Sequence, residues 1–215
     1  MFRKLLKWFA YGPFSALYRI FLIKEVSGTE NFPKKGGFVI AANHTSYLDI
    51  PALSFTICKS IKKEARYIAK KELFYSPIMR YILETGGAIP VDRSKKDENV
   101  FEEAIKLLKK GEVIVVYPEG TRTLTGKIQK GRTGVARLAL WAKVPVVPVG
   151  IKGTFELMPS GRILPKLKKS IIVNIGKPIY FNKYYNKKVT KKLIRGITDA
   201  VMKNIADLAG QEYAG

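Results

Sequence analysis

Gly36-Gly37-Phe38-Val39-Ile40-Ala41-Ala42-Asn43-His44-Thr45-Ser46-Tyr47-Leu48-Asp49 is the stretch from which the fold is read. Two glycines open an apolar run of strand length that stops at Asn43-His44, the pattern of a buried strand ending in a polar turn. Ser46, with Asp49 three residues later and Ile50 and Leu53 just beyond, has the spacing of an N-cap with its acidic capping-box partner. His44 is the one histidine of the chain, and it falls between the strand end and the helix start. Residues five apart in one continuous helix point about 140° away from each other, so Asp49 reaches His44 only if His44 lies outside the helix. There the carboxylate accepts from one imidazole nitrogen, sets the tautomer and leaves the other nitrogen free as a base. A histidine that merely satisfies a turn is the competing reading.

Outward from this stretch, strands and helices alternate. Residues 66–69 read as a short strand, and a segment starting at Lys70-Lys71 reaches Leu83 with a break at Pro77. Ala88 to Val91 is a short apolar strand in which Pro90 argues for an edge position or a bulge. Lys96 to Lys110 is the clearest helix: acidic residues come early, Lys106, Lys109 and Lys110 late, and Gly111 is placed as its C-terminal cap. Val113 to Tyr117 is a continuous apolar strand stopped by Pro118. Gly134 to Ala142 is a helix, Val146 to Ile151 and Ile171 to Ile175 are strands, and Thr190 caps a final amphipathic helix through Leu208. Helix followed by buried strand, repeated, predicts an α/β domain with crossover helices, in which sites gather at the carboxyl ends of strands. His44 and the turn Glu119-Gly120-Thr121-Arg122 both fall at such ends. In that turn Gly120 permits close backbone approach, Thr121 offers a hydroxyl, and Arg122 supplies a fork for phosphate.

Lys and Arg outnumber Asp and Glu by 39 to 17, a formal charge of +22 on a chain that is 47% hydrophobic. Such a surplus asks for an anionic partner: nucleic acid, acidic lipid headgroups or a phosphorylated substrate. No nucleic-acid module is recognisable, and the basic runs, Lys59 to Lys63 and Lys166 to Lys169 among them, read mostly as solvated faces. The single cysteine, Cys58, excludes an internal disulfide and reads as a small core residue. Residues 1–25 mix Trp8, Phe9, Tyr11, Phe14, Leu17, Tyr18, Ile20 and Phe21 with Arg3, Lys4, Lys7, Arg19 and Lys24. Gly12-Pro13 is expected to divide this segment into two short helices, neither near the ~20 apolar residues that span a bilayer. Aromatic and basic residues at this density fit a helical pair lying in a membrane interface, and a helix docked on the protein's own core is the alternative. A signal peptide is disfavoured by Pro13 and by the lack of a clean cleavage site. The division is thus residues 1–25 as a membrane-interface motif and 26–215 as the folded domain.

Four ordered blocks carry a resemblance: the stretch from Asn43-His44 to Asp49; Gly87-Ala88-Ile89-Pro90-Val91-Asp92-Arg93; Tyr117-Pro118-Glu119-Gly120-Thr121-Arg122; and Val144-Pro145-Val146-Val147-Pro148-Val149. Together they resemble the glycerolipid acyltransferases, most nearly the 1-acylglycerol-3-phosphate branch. The resemblance runs from about Gly28 to Gly176. It implies a single domain with a mixed, mainly parallel sheet of about six or seven strands. It implies transfer of a fatty acyl group from acyl-CoA or acyl carrier protein to the sn-2 hydroxyl of lysophosphatidic acid, giving phosphatidic acid, with His44 as general base and Asp49 orienting it. Arg93 and Arg122 would meet the acceptor phosphate, one of Lys70 and Lys71 would lie near the site, and Glu119 would hold Arg122 or the acceptor hydroxyls. Lys127, Lys130 and Arg132 extend a cationic loop toward a headgroup or the phosphates of the donor. Ser46 is better used as a cap than as a nucleophile. No metal-ligand cluster stands in the sequence, and no cofactor is expected. The protein is expected on the cytoplasmic face of the cell membrane, against anionic lipid and without nucleic acid. Acylation of glycerol-3-phosphate or another lysolipid, and noncatalytic membrane or nucleic-acid binding, are the readings left open.

Overall fold

Seven strands form one sheet in the structure, a computed structural model that describes residues 10–63, 65–92, 101–162 and 164–213. They are β1 (Ile23–Ser27), β2 (Phe38–Ala42), β3 (Ala65–Lys70), β4 (Ile89–Val91), β5 (Val113–Val116), β6 (Val146–Lys152) and β7 (Ile171–Ile175). Their order across the sheet is β1-β7-β6-β2-β5-β3-β4. Neighbours are parallel except β6 and β7, so β1 and β7 run against the other five. The helices are α1 (Ser15–Phe21), α2 (Asp49–Ile61), α3 (Pro77–Thr85), α4 (Glu102–Lys109), α5 (Gly134–Ala142), α6 (Thr154–Leu157) and α7 (Lys191–Ala209).

Side chains of β2 divide between two cores, as the two-residue period of a strand requires. Phe38, Ile40 and Ala42 join the core under α1 and α2, while Val39 and Ala41 join the one under α4, α5 and α7. Both faces are covered, which is why β2 and β5 read as unbroken apolar runs rather than alternating ones. Each Val or Ile so buried stabilises by about 1.5–3 kcal/mol. Gly37 is there for space: a Cβ at that position would lie 2.1 Å from the Leu108 carbonyl oxygen at the end of α4. Thr190 caps α7 as expected, its Oγ1 accepting from the Leu193 N–H at 3.1 Å. Pro77 opens α3, where its missing N–H costs nothing, and Pro90 sits on the edge strand β4.

Several expectations need correction. The strand β1 begins at Ile23, so the division at residue 25 cuts through it, and Tyr18, Leu22 and Ile23 are buried in the core. Gly12-Pro13 lies inside a π-helical turn, Ala10–Phe14, that runs directly into α1. A wider i→i+5 turn is one of the ways a chain carries proline through helical backbone. Ser46 is not the oxygen cap of α2. Its Oγ donates to the Met158 carbonyl at 2.7 Å and accepts from Leu48 N, and only the returning half of the box forms, Asp49 Oδ2 accepting from Ser46 N at 2.8 Å. The helix expected from Lys96 is α4 from Glu102; Lys96 to Val100 lie outside the described residues. Cys58 is half-buried on α2 rather than in the core.

Candidate active site

Adjacent parallel strands set the site. β2 and β5 pair with Ala41 opposite Val116, so the chain leaves both strands side by side at their carboxyl ends. One exit carries Asn43-His44, the other Tyr117 to Arg122. Asn43 locks the first, its buried side-chain amide donating to Ile151 O at 2.9 Å and its oxygen accepting from Ile151 N at 2.8 Å across the neighbouring β6.

His44 lies outside α2, as the spacing demanded, with Nδ1 2.9 Å from Asp49 Oδ2. That oxygen also accepts from the backbone N–H of Thr45 at 2.7 Å and of Ser46 at 2.8 Å. An oxygen gathering two N–H donors acts as acceptor toward the ring too, so Nδ1 carries the proton and Nε2 keeps its lone pair. Asp49 is fully buried, and its Oδ1 has no hydrogen-bond partner. The imidazole stacks on Tyr117, ring centroids 4.0 Å apart and 15° from parallel. Burial raises the Tyr117 phenol well above its ordinary range, keeping that face neutral. Tyr18 on α1 reaches the same turn, its hydroxyl donating to Leu48 O at 2.7 Å.

Glu119, expected to hold Arg122 or the acceptor hydroxyls, is not paired with Arg122 among the described residues. It is 3% exposed, and its two oxygens accept from the backbone N–H of His44 at 2.8 Å and of Gln129 at 2.9 Å. The residue therefore straps the two strand exits together, helped by Thr123 N donating to His44 O at 3.0 Å. Burial pushes its carboxyl up to about 7, against the two N–H donors that favour the anion.

A cavity of about 630 Å³ opens beside these turns, with His44, Tyr117, Gly120, Thr121, Arg122 and Lys70 in its wall. Lys71, exposed at the start of the 3₁₀ turn Lys71–Phe74, does not line it, and Arg93 lies outside the described residues. Gly120 has φ +79°, the left-handed backbone that favours glycine, and a Cβ there would come within 2.8 Å of Arg132 Nε, so that side chain would have to shift. Arg122 packs its guanidinium 3.5 Å above the Tyr47 ring. Apolar wall is supplied by Ile50, Tyr67, Ile68, Leu73 and Val91. The sequence reading missed Asn43, Tyr47, Tyr117 and Arg137 as parts of the site. Three of them stood inside the quoted blocks, and a helix position three residues after Gly134 gives Arg137 no local signal.

The chain is similar to known proteins in sequence and in fold. A family model described as Acyltransferase matches residues 24–152. A 1-acyl-sn-glycerol-3-phosphate acyltransferase of Bacillus subtilis is 32% identical over 184 residues, covering 86% of this chain and 87% of that protein. The chloroplastic 1-acyl-sn-glycerol-3-phosphate acyltransferase BAT2 of Brassica napus is 31% identical over 74% of this chain, which spans 46% of its length. The crystal structure of the 1-acyl-sn-glycerophosphate (LPA) acyltransferase PlsC from Thermotoga maritima superposes with a TM-score of 0.71 at 27% identity, covering 99% of this chain and 83% of that one.

Proposed function

This chain belongs to the acyltransferase family whose model matches residues 24–152, and from that premise we propose that it moves a fatty acyl group from a thioester to the sn-2 hydroxyl of 1-acylglycerol-3-phosphate, giving phosphatidic acid. The observation that carries this reading is the buried Asp49 carboxylate holding His44 Nδ1 at 2.9 Å on the wall of a cavity that also holds Arg122. Relatives named for this reaction support the choice of acceptor.

His44 Nε2 takes the proton of the acceptor hydroxyl as its oxygen attacks the thioester carbonyl carbon. The tetrahedral intermediate collapses with cleavage of the C–S bond, and the leaving thiolate recovers the proton from the imidazolium. Asp49 stabilises that imidazolium and keeps the ring in one tautomer. Glu119 holds the His44 backbone in place, so it positions the base without touching substrate. Arg122, braced on Tyr47, receives the acceptor phosphate; Arg93 serves the same group on the strength of the family resemblance. Gly120 and Thr121 shape the phosphate side, and Lys70 rather than Lys71 reaches the site. Holding both reactants against His44 accounts for much of the rate, because orientation alone removes several kcal/mol from such a barrier.

Membrane attachment rests on α1. Phe14, Leu17, Ile20 and Phe21 are 45–61% exposed while Tyr18 is buried, so the helix docks on the core and still shows an apolar face outward. Among the described residues no helix is long and apolar enough to cross a membrane. The protein on this reading is peripheral, at the cytoplasmic face, with α1 in the lipid interface. The decisive experiment mixes purified protein with lysophosphatidic acid and labelled oleoyl-CoA and identifies the product. Labelled phosphatidic acid is expected. Label appearing only when glycerol-3-phosphate replaces the acceptor would transfer the reading to that substrate, and no acyl transfer to either would end it.

A further inference from the structure

From Tyr117 to Thr133 the chain forms neither helix nor strand, yet this segment carries the Glu119 strap and two residues of the cavity wall, Arg122 and Arg132. Its place is therefore set by individual bonds rather than by a ladder. On the inner side Thr123 N donates to His44 O at 3.0 Å, Gln129 N to Glu119 Oε2 at 2.9 Å and Arg132 N to Pro118 O at 2.7 Å. On the outer side the partners come from the far end of the chain. Past α7 the backbone folds back, Gln211 N donating to Ala206 O at 2.9 Å, and brings the half-buried Gln211 side chain onto the loop. Its Oε1 accepts from Ile128 N at 2.9 Å and its Nε2 donates to Gly126 O at 3.0 Å. A carboxamide offers the same acceptor and donor as a peptide group, so one side chain serves two backbone groups that no strand is there to pair. Arg195 of α7 adds a donation to Gly131 O at 2.7 Å, its guanidinium held by Asp199. Tyr213, whose hydroxyl donates to Asp199 Oδ1 at 2.9 Å, lies 3.4 Å from Gly131 N.

The order of these bonds along the backbone matters. Ile128 N–H is taken by Gln211, and the next amide, Gln129 N–H, is taken by Glu119, whose other oxygen accepts from His44 N at 2.8 Å. Fixing one peptide unit restricts where the next one can point its N–H, because only two soft dihedral angles separate them. A line of bonds thus runs from Gln211 through the loop and Glu119 to His44. We propose that Gln211 is a positioning residue for the base: by holding Ile128 it aims Gln129 N–H at Glu119, and so keeps the His44 backbone where its ring stands in the cavity wall. Its effect on rate rests on the acyl-transfer reading of that site. Released from Gln211, the loop would keep its inner bonds only part of the time, and the base would meet the acceptor hydroxyl in fewer of its conformations. Binding of either substrate is spared, since Gln211 does not line the cavity.

The test uses the full chain and follows both the rate and the imidazole, which gives one set of ring signals because His44 is the only histidine. Gln211→Leu nearly keeps the size of the side chain and removes both of its bonds to the loop. It is expected to lower kcat for transfer from oleoyl-CoA to lysophosphatidic acid about 3- to 10-fold, the worth of one or two neutral hydrogen bonds, with the KM of either substrate within about twofold. It should also shift the His44 ring nitrogens in a nitrogen-15 NMR spectrum. In a Glu119→Gln background, where the link to His44 is already weakened, the same substitution should cost less than about twofold more. Thr190→Ala, which removes the cap at the opposite end of α7, is the control: it should lower the melting temperature and leave kcat and the ring signals alone. Gln211→Glu, which keeps the acceptor for Ile128 N and loses the donor to Gly126 O, supplies a folded variant of intermediate effect should Gln211→Leu melt early. Unchanged ring signals in Gln211→Leu, a loss of rate that multiplies fully with that of Glu119→Gln, or the same loss in Thr190→Ala would each overturn the role. Wild-type protein that transfers no acyl group would sink the acyl-transfer reading and leave the ring signals to decide the role of Gln211.

Discussion

Asp49 Oδ2 gathers three donors within 2.7–2.9 Å, two of them backbone amides of the turn that carries His44. The carboxylate therefore shapes the turn as well as the base. His44→Ala should lower the rate of acyl transfer by about 10²- to 10⁴-fold, the usual contribution of a positioned base, while the loss of its stacking on Tyr117 costs only about 0.5–1.5 kcal/mol of stability. Single-turnover rates beside a melting curve separate the two effects; a variant that kept most of its activity would rule out the base. Asp49→Asn should be nearly as damaging to rate and also less stable, because its NH₂ must either face the three donors or occupy the buried, partnerless place of Oδ1. Glu119 gives a pH prediction. Its raised carboxyl favours the protonated form in the folded state, so the stability it contributes is complete below about pH 4.5 and is lost as pH rises through about 7. The melting temperature of wild type should accordingly fall against that of Glu119→Gln between pH 5 and 8, and a constant difference would show that Glu119 does not titrate there. The His44–Asp49 pair was legible from the motif resemblance, and the spacing added that His44 must lie outside the helix for the two to meet. Glu119 was not: a carboxylate beside Gly120-Thr121-Arg122 reads as a substrate ligand until burial and two backbone donors reveal a strap.

Among the elements, β2, β5, β6 and β7 could be read because buried parallel or central strands leave apolar runs bounded by Gly, Pro or Asn. The strand β1, Ile23-Lys24-Glu25-Val26-Ser27, left no such run, since it lies at the sheet edge with charged residues turned outward. That one omission changes the expected behaviour of the N-terminus. Deleting residues 1–25 takes away buried Tyr18, Leu22 and Ile23 and half of β1, and so should destabilise the domain rather than merely free it from lipid. The clean experiment is to replace Leu17, Ile20 and Phe21 with serine. All three are more than half exposed, so the melting temperature should hardly move while binding to anionic vesicles is lost, at ~25 cal/mol per Å² of apolar surface no longer buried in the interface. Tyr18→Ala should do the opposite, costing about 3 kcal/mol through the core and through the lost bond to Leu48 O. A serine variant that still floats with vesicles would remove α1 from the membrane surface.

For the molecule as a whole, the α/β class and the placing of both motif turns at strand ends were legible from alternation, but their meeting was not. It depends on β5 inserting between β2 and β3, a matter of sheet order that no local pattern encodes. Charge was legible at this scale and supplies its own prediction: with a formal +22, vesicle binding should weaken as salt rises, each cation near the surface being worth about 1 kcal/mol, and should persist in part because the apolar contact of α1 is not screened. Binding abolished by salt alone, in a cosedimentation series, would leave no place for that contact. The pairing of the edge strand β1 with its neighbour β7 has a consequence for biosynthesis. Ser27 and Asn174, joined across β1 and β7 by a hydrogen bond of 2.8 Å, stand 147 residues apart in the chain. At about 5–20 residues per second, a ribosome makes β1 roughly 7–30 s before the partner it must pair with. Throughout that interval the nascent N-terminus has no finished sheet to rest on, and its greasy ridge is free to find lipid first, so that on the membrane reading the enzyme is delivered to its workplace before its fold has closed.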